Sequence, residues 1–321
     1  MDAVTAGPLG RPGAAELTER LGDPLAALFA PRGRRIDLTP LPFTPRADAP
    51  AALRVNDSAG RPLAAILCSA PEAPGMVQRA MSRALEARAR LGAHAARPIL
   101  EPLMQGQVRG LSYAVLPWCD SPSTLRPLWW LQRRALRPAL LDWLHRVAVA
   151  TAREPASDDI ERRFVAPLRH VAALPAAGEP VRHAAAQAIE RLARGVWQPR
   201  TVLMHGDLWK GNVLLRPAPF GTPRLDWAER LVIIDWAGAD LHGHAFYDLV
   251  RLSYSLGLPA GTLRAEVARH CAVLGCTPRD AMSSLLAALG QIGLALEHFP
   301  PAQYAHMVEQ CCATLAPAIS S

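Results

Sequence analysis

His205-Gly206-Asp207-Leu208-Trp209-Lys210-Gly211-Asn212 runs into a strand-like segment, Val213-Leu214-Leu215, and is followed by Leu231-Val232-Ile233-Ile234-Asp235-Trp236. The first stretch supplies a carboxylate and a carboxamide five residues apart, and the second ends an apolar run on another carboxylate. Two adjacent antiparallel strands would bring Asp207, Asn212 and Asp235 to one edge of a small sheet. Phosphoryl transfer asks for such a set: one group to orient or deprotonate an acceptor hydroxyl, and oxygen ligands for Mg²⁺ on the nucleotide phosphates. Asp207 fits the first role, and Asn212 with Asp235 fits the second.

The motifs resemble those of the aminoglycoside phosphotransferase and choline kinase-like family, the small-molecule branch of the protein-kinase fold. That family's loop reads His-Gly-Asp, four variable residues and Asn, as residues 205–212 do. Its metal motif reads Ile-Asp-Phe/Trp with a Gly and an Asp-Leu downstream, matched by Ile234-Asp235-Trp236, Gly243 and Asp248-Leu249. Ala237 stands where an acidic residue is common, and the Gly and Asp-Leu are displaced by about one residue. The resemblance implies an α+β, two-lobed fold with a small β-rich N-lobe and a larger, mainly helical C-lobe. It implies Asp207 as catalytic base, Asn212 and Asp235 as metal ligands, Asp248 as an acid bracing the loop, and ATP with Mg²⁺ as cofactors. Taken as turn punctuation alone, HGD and IDW would carry no function, but the two motifs occur in the family's order and spacing.

A chain of 321 residues, half of them hydrophobic and 20% charged, can bury the cores of two lobes. No apolar run approaches the length of a membrane helix and the N-terminus lacks a signal pattern, so a cytoplasmic location without membrane partners is expected. The six cysteines form no CxxC pair and read as buried thiols. The net charge is +7, and every basic residue except Lys210 is arginine. These arginines are dispersed along helical segments such as Arg83-Ala84-Leu85-Glu86-Ala87-Arg88, a solvated pattern that speaks against nucleic-acid binding.

Composition predicts mobility over 1–14, and the resemblance implies an N-terminal nucleotide-binding lobe over 15–117 and a helical lobe with the catalytic loop and acceptor site over 118–321. Within the first lobe, 15–30 reads as a short helix broken near Gly22 or Pro24. Strands are expected at 51–55 and 63–68 around an Asn56–Gly60 turn, then a helix at 75–91 and a strand at 111–116. In the resembled fold, Pro117–Asp120 is the hinge that takes the adenine. Helical patterns cover 128–153, 158–173, 180–196, 246–256, 261–274, 278–296 and 301–315.

The third strand of such lobes usually offers a lysine, paired with a glutamate on the next helix, to hold the nucleotide phosphates. Near Ile66-Leu67-Cys68-Ser69 there is none, and the segment from Leu38 to Val55 has four prolines and no glycine-rich loop. Arg54 on the neighbouring strand can project into the same cleft and pair with Glu86, or it can be an exposed strand residue. Lys210 can reach a γ-phosphate or lie in solvent, and Trp118 can stack on adenine or cap the core. Trp209 lines the acceptor pocket or packs on the C-terminal helices, while His205 fits a structural hydrogen bond better than acid–base work. The leading expectation is an ATP-dependent transfer to the hydroxyl of a small molecule; the alternative is a pseudokinase-type binding or scaffolding protein. Only Glu266, Asp280, Glu297 and Glu309 are acidic after Leu249, which makes a polycationic acceptor a weak candidate.

Overall fold

The computed structural model describes residues 14–29, 36–41, 49–123, 125–218, 227–296 and 299–320. Its elements begin α1 (Ala14–Phe29), β1 (Asp37–Pro40), β2 (Ala51–Asn56), β3 (Pro62–Cys68), α2 (Met76–Arg90), α3 (Ala93–Ala96), β4 (Met104–Val108) and β5 (Leu111–Pro117). Next come α4 (Arg126–Thr151), α5 (Ser157–Ile160), a π-helical turn (Glu161–Val165), α6 (Ala166–Ala172), α7 (Glu179–Ala193) and β6 (Thr201–Met204). After a 3-10 turn (Lys210–Asn212) follow β7 (Val213–Leu215), β8 (Leu231–Ile233), β9 (Asp240–His244) and α8 (Tyr247–Leu256). The chain ends with α9 (Ala260–Leu274), α10 (Pro278–Gly293) and α11 (Pro301–Ile319). Two compact units share these elements: residues 1–85, 97–122 and 214–237 form one, and 86–96, 123–213 and 238–321 the other. Residues 1–13 of the stretch expected to be mobile, and 42–48 of the proline-punctuated segment, lie outside the described residues.

The first unit is built on an antiparallel sheet of order β1-β2-β3-β5-β4. Strand alternation sorts its side chains onto two faces. Leu53, Val55, Ala64, Ile66, Cys68, Tyr113 and Val115 face one way and pack against Leu17, Leu21, Leu25 and Phe29 of α1. That stripe explains why α1 runs unbroken through Pro24, contrary to the expected break. An interior proline costs about 3 kcal/mol. Four large apolar side chains taken out of water contribute roughly 1.5–3 kcal/mol each, so burial wins. On the opposite face Leu67, Ala114 and Leu116 meet Val77 and Met81 of α2, together with Leu100 and Val232. The β2–β3 turn is held by Asp57, whose Oδ1 accepts from the N–H groups of Ala59 (2.9 Å) and Arg61 (2.8 Å). Gly60 supplies the left-handed backbone there, at φ +74°. Strands β7 and β8 pair with each other, and Asp120 bonds reciprocally with the main chain of Leu215 at 2.8 and 2.9 Å.

The second unit is helical around the short pair β6–β9. Its helices approach closely: a Cβ on Gly290 of α10 would collide with the carbonyl of Pro167 at the start of α6. A capping box opens α10, in which Thr277 Oγ1 accepts from Asp280 N–H and the Asp280 carboxylate accepts from Thr277 N–H. Arg191 of α7 pairs with the same carboxylate. Every residue of β6 is buried, and Gly243 on β9 carries no Cβ where one would strike Met204. This firm strand delivers the chain into the loop at His205. No helix among the described residues is long and apolar enough to cross a membrane.

Candidate functional site

In the helical unit the loop after β6 turns at Gly206, whose φ is +84°. A Cβ at that position would collide with the carbonyl oxygen of Gly238, so both the dihedral and the space demand glycine. Asp248, buried near the start of α8, gathers the loop's main chain. Its Oδ2 accepts from His205 N–H at 2.6 Å and its Oδ1 from Gly206 N–H at 3.1 Å, and Leu208 N–H adds a further bond. Burial pushes the Asp248 carboxyl up to about 6, with the three amide bonds opposing. His205 is buried, and its Nδ1 accepts from Asp207 N–H at 3.3 Å.

Asp207 is thereby aimed outward, with 47% of its side chain exposed. Both carboxylate oxygens are engaged: Oδ1 by Arg251 Nη2 at 3.5 Å, and Oδ2 by Asn212 Nδ2 at 3.3 Å. The same Nδ2 donates to the Asp207 carbonyl at 2.8 Å. Using the amide nitrogen in this way fixes which end of buried Asn212 is the oxygen acceptor. Lys210 N–H donates to Ser255 Oγ at 3.0 Å, while its side chain is exposed and has no ion-pair partner among the described residues. Asp248, Arg251 and Ser255 are spaced three and four apart, so a single face of α8 holds the loop at 205–208, at 207 and at 210. Asp248 was legible from the motif; Arg251 and Ser255 were not.

Asp235 belongs to the sheet-bearing unit. It takes left-handed backbone itself, at φ +66°. The preceding strand is wholly buried, and Trp236 anchors the turn by burying its ring and donating from Nε1 to Ile233 O at 3.0 Å. Burial raises the Asp235 pKa above the ordinary carboxylate value, opposed by a hydrogen bond from Ala237 N–H.

Arg54 lies in the same unit, in register with Ala65 of β3. Because Leu53 and Val55 face α1, Arg54 points to the other face, which it shares with Ala65 and Leu67. Those two β3 residues carry no charge, and Arg54 is the charged residue beside them on that face. Its guanidinium sits over the Trp118 ring, 6.0 Å from the centroid. Trp118 is half-buried, and its Nε1 donates to Asp120 Oδ1 at 3.0 Å. Glu86 is exposed on α2, in the part of that helix that counts with the second unit. Asp207, Lys210 and Asn212 therefore come together in the helical unit, and Arg54 with Trp118 in the sheet-bearing one.

The chain matches the sequence model of a family described as the phosphotransferase enzyme family (APH) over residues 42–282. No curated protein gives a significant match. Among solved structures, a thermostable mutant of aminoglycoside phosphotransferase APH(4)-Ia in its apo form is 17% identical, with a TM-score of 0.51 over 92% of this chain and 99% of that one. A thermostable mutant of the same enzyme in a ternary complex with AMP-PNP and hygromycin B is also 17% identical at TM-score 0.51, over 96% of this chain and 99% of that one. A choline/ethanolamine kinase family protein from Mesorhizobium loti is 17% identical at TM-score 0.47, over 94% and 99%. At this identity the APH(4)-Ia structures show the fold, which is the two-lobed protein-kinase-like one.

Proposed function

We propose that this chain, which belongs to the phosphotransferase enzyme family and is a small-molecule phosphotransferase, moves the γ-phosphoryl group of ATP to an alcohol under the control of Asp207. The observation that carries the reading is the two-point hold on that carboxylate. With Oδ1 on Arg251 and Oδ2 on Asn212, it stays open to solvent in one orientation. The acceptor oxygen attacks the γ-phosphorus, its proton passes to Asp207, and the bond to the β-phosphate oxygen breaks to release ADP. Transfer of this kind depends mainly on positioning and on charge neutralisation.

Asn212 and Asp235 are the proposed Mg²⁺ ligands. Both offer hard oxygen donors of the kind that ion takes, and the use of Asn212 Nδ2 on Asp207 turns its carbonyl oxygen into the available end. The ion supplies charge neutralisation on the phosphates. Arg54 takes the phosphate-holding role of the missing strand lysine, Trp118 lies against it as a ring for the base, and Glu86 is the acid that the family pattern assigns to this helix. Lys210 neutralises charge on the transferred group. The expected setting is the cytoplasm.

ATP titration followed by thermal shift, with and without Mg²⁺, tests the assignment together with an ADP-release assay. A ligand that binds the native state must raise its apparent stability. Asp235→Ala should lose the Mg²⁺-dependent shift. Asp207→Asn should keep it while turnover falls by about 10²–10⁴-fold. Full turnover in Asp207→Asn would remove the base from this site.

A further inference from the structure

Trp209, two residues beyond Asp207, lays its indole against the main chain of Gly211, where a Cβ would collide with Cε2, Cζ2 and Cη2 of the ring. Protein therefore backs one side of the ring, and 40% of the residue remains exposed. The bond from Lys210 N–H to Ser255 Oγ ties this corner to the last turn of α8. There Tyr254, adjacent to Ser255, is 51% exposed. Of these two open aromatic side chains, Trp209 stands two residues from the outward Asp207 carboxylate and offers a platform for a flat, apolar body.

The charge of this corner is positive. Arg251 offsets Asp207, and Lys210 adds an exposed ammonium. The described acids of the C-terminal helices are committed elsewhere. Asp280 is held by Arg191 and by its capping box, Glu309 accepts from Gly178 N–H at 2.6 Å, and Glu266 pairs with Arg269 at 3.7 Å. Asp248 is spent on the loop amides. A cationic acceptor would meet like charge here, which disfavours it more strongly than a neutral one.

We propose that the acceptor is a hydroxylated molecule with a flat apolar body and an anionic group, a carboxylate or a phosphate. Its body stacks on Trp209, its anion meets Lys210, and its hydroxyl faces Asp207. This rests on Asp207 being the base and adds the class of acceptor to that reading.

Four para-substituted benzyl alcohols, bearing carboxylate, phosphate, carboxamide or trimethylammonium, test it by calorimetric titration of the full chain, with ATP titrated in parallel. The two anionic probes should bind at least about tenfold tighter than the ammonium one, with the carboxamide between them. The tighter of the two anions identifies which group the site takes. Lys210→Gln should erase the gap between anionic and neutral probes, while Trp209→Ala should weaken all four alike. The inference is overturned if the ammonium probe binds as tightly as the anions, if Lys210→Gln leaves the order intact, or if none of the four binds. Retained ATP binding alongside such a result would sink the acceptor class alone. Loss of Mg²⁺-dependent ATP binding in the wild type would sink the phosphotransfer reading itself.

Discussion

The turn at His205–Asn212 and the turn at Ile234–Ala237 each present an aspartate, and both pass through left-handed backbone, but they distribute the strain in opposite ways. In the first, Gly206 takes φ +84° and Asp207 sits beside it in relaxed backbone, its carboxylate held at both oxygens. In the second the aspartate takes the left-handed conformation itself, at φ +66°, between buried Ile233 and buried Trp236. Such a dihedral costs a non-glycine residue about 1–3 kcal/mol, less for Asp than for most. The group proposed to move a proton is thus fixed without strain, whereas the group proposed to hold a metal is strained and carries a raised pKa. Over-determination of the surrounding strand and tryptophan is what lets the second turn persist.

Substitution can reverse this contrast. The largest effect should come from Gly206→Ala, which meets both a left-handed dihedral and the Gly238 carbonyl. Denaturant unfolding should show a loss of about 3 kcal/mol or more, with phosphoryl transfer abolished; wild-type stability would mean the loop is not held as described. Asp248→Asn comes next, costing about 2–3 kcal/mol through the weakened amide bonds. It also carries a pH signature. Because burial raises the native pKa of Asp248 to about 6 from an ordinary 3.8, the native state binds the extra proton between those values. The corresponding stability is fully present below about 4 and is lost as pH rises through about 6. The difference in Tm between wild type and Asp248→Asn, scanned from pH 4 to 7, should therefore shift against the wild type as pH rises; a flat difference would refute it. The smallest effect has the opposite sign. Asp235→Gly should gain about 1 kcal/mol by relieving its dihedral while losing Mg²⁺-dependent ATP binding, and a loss of stability there would show that the turn is unstrained.

Much of the sheet was legible because β2, β3 and β5 are largely apolar and the first two flank an Asn-Asp-Ser-Ala-Gly turn. The edge strands were not. Met104-Gln105-Gly106-Gln107-Val108 exposes its three central residues, and Asp37-Leu38-Thr39-Pro40 is short and ends on proline, so neither alternates clearly. Strand β9 reads as polar punctuation, and only its pairing with buried β6 defines it. The expected break in α1 failed because local proline chemistry lost to a tertiary stripe. At the site, Asp207, Asn212, Asp235 and Asp248 stood out through motif spacing. Arg251 and Ser255 did not, since their part depends on α8 lying alongside a loop distant in sequence. The available signal was their helical spacing from Asp248.

The separation between that loop and α8 has a consequence for the order of events as the chain is made. The amides of His205, Gly206 and Lys210 bond to side chains 43, 42 and 45 residues downstream. During synthesis the loop therefore leaves the ribosome before the helix that shapes it exists. At about 5–20 residues per second, the delay lasts roughly 2–9 seconds. Until then the loop is a chain without its mould, and its shape arrives with α8.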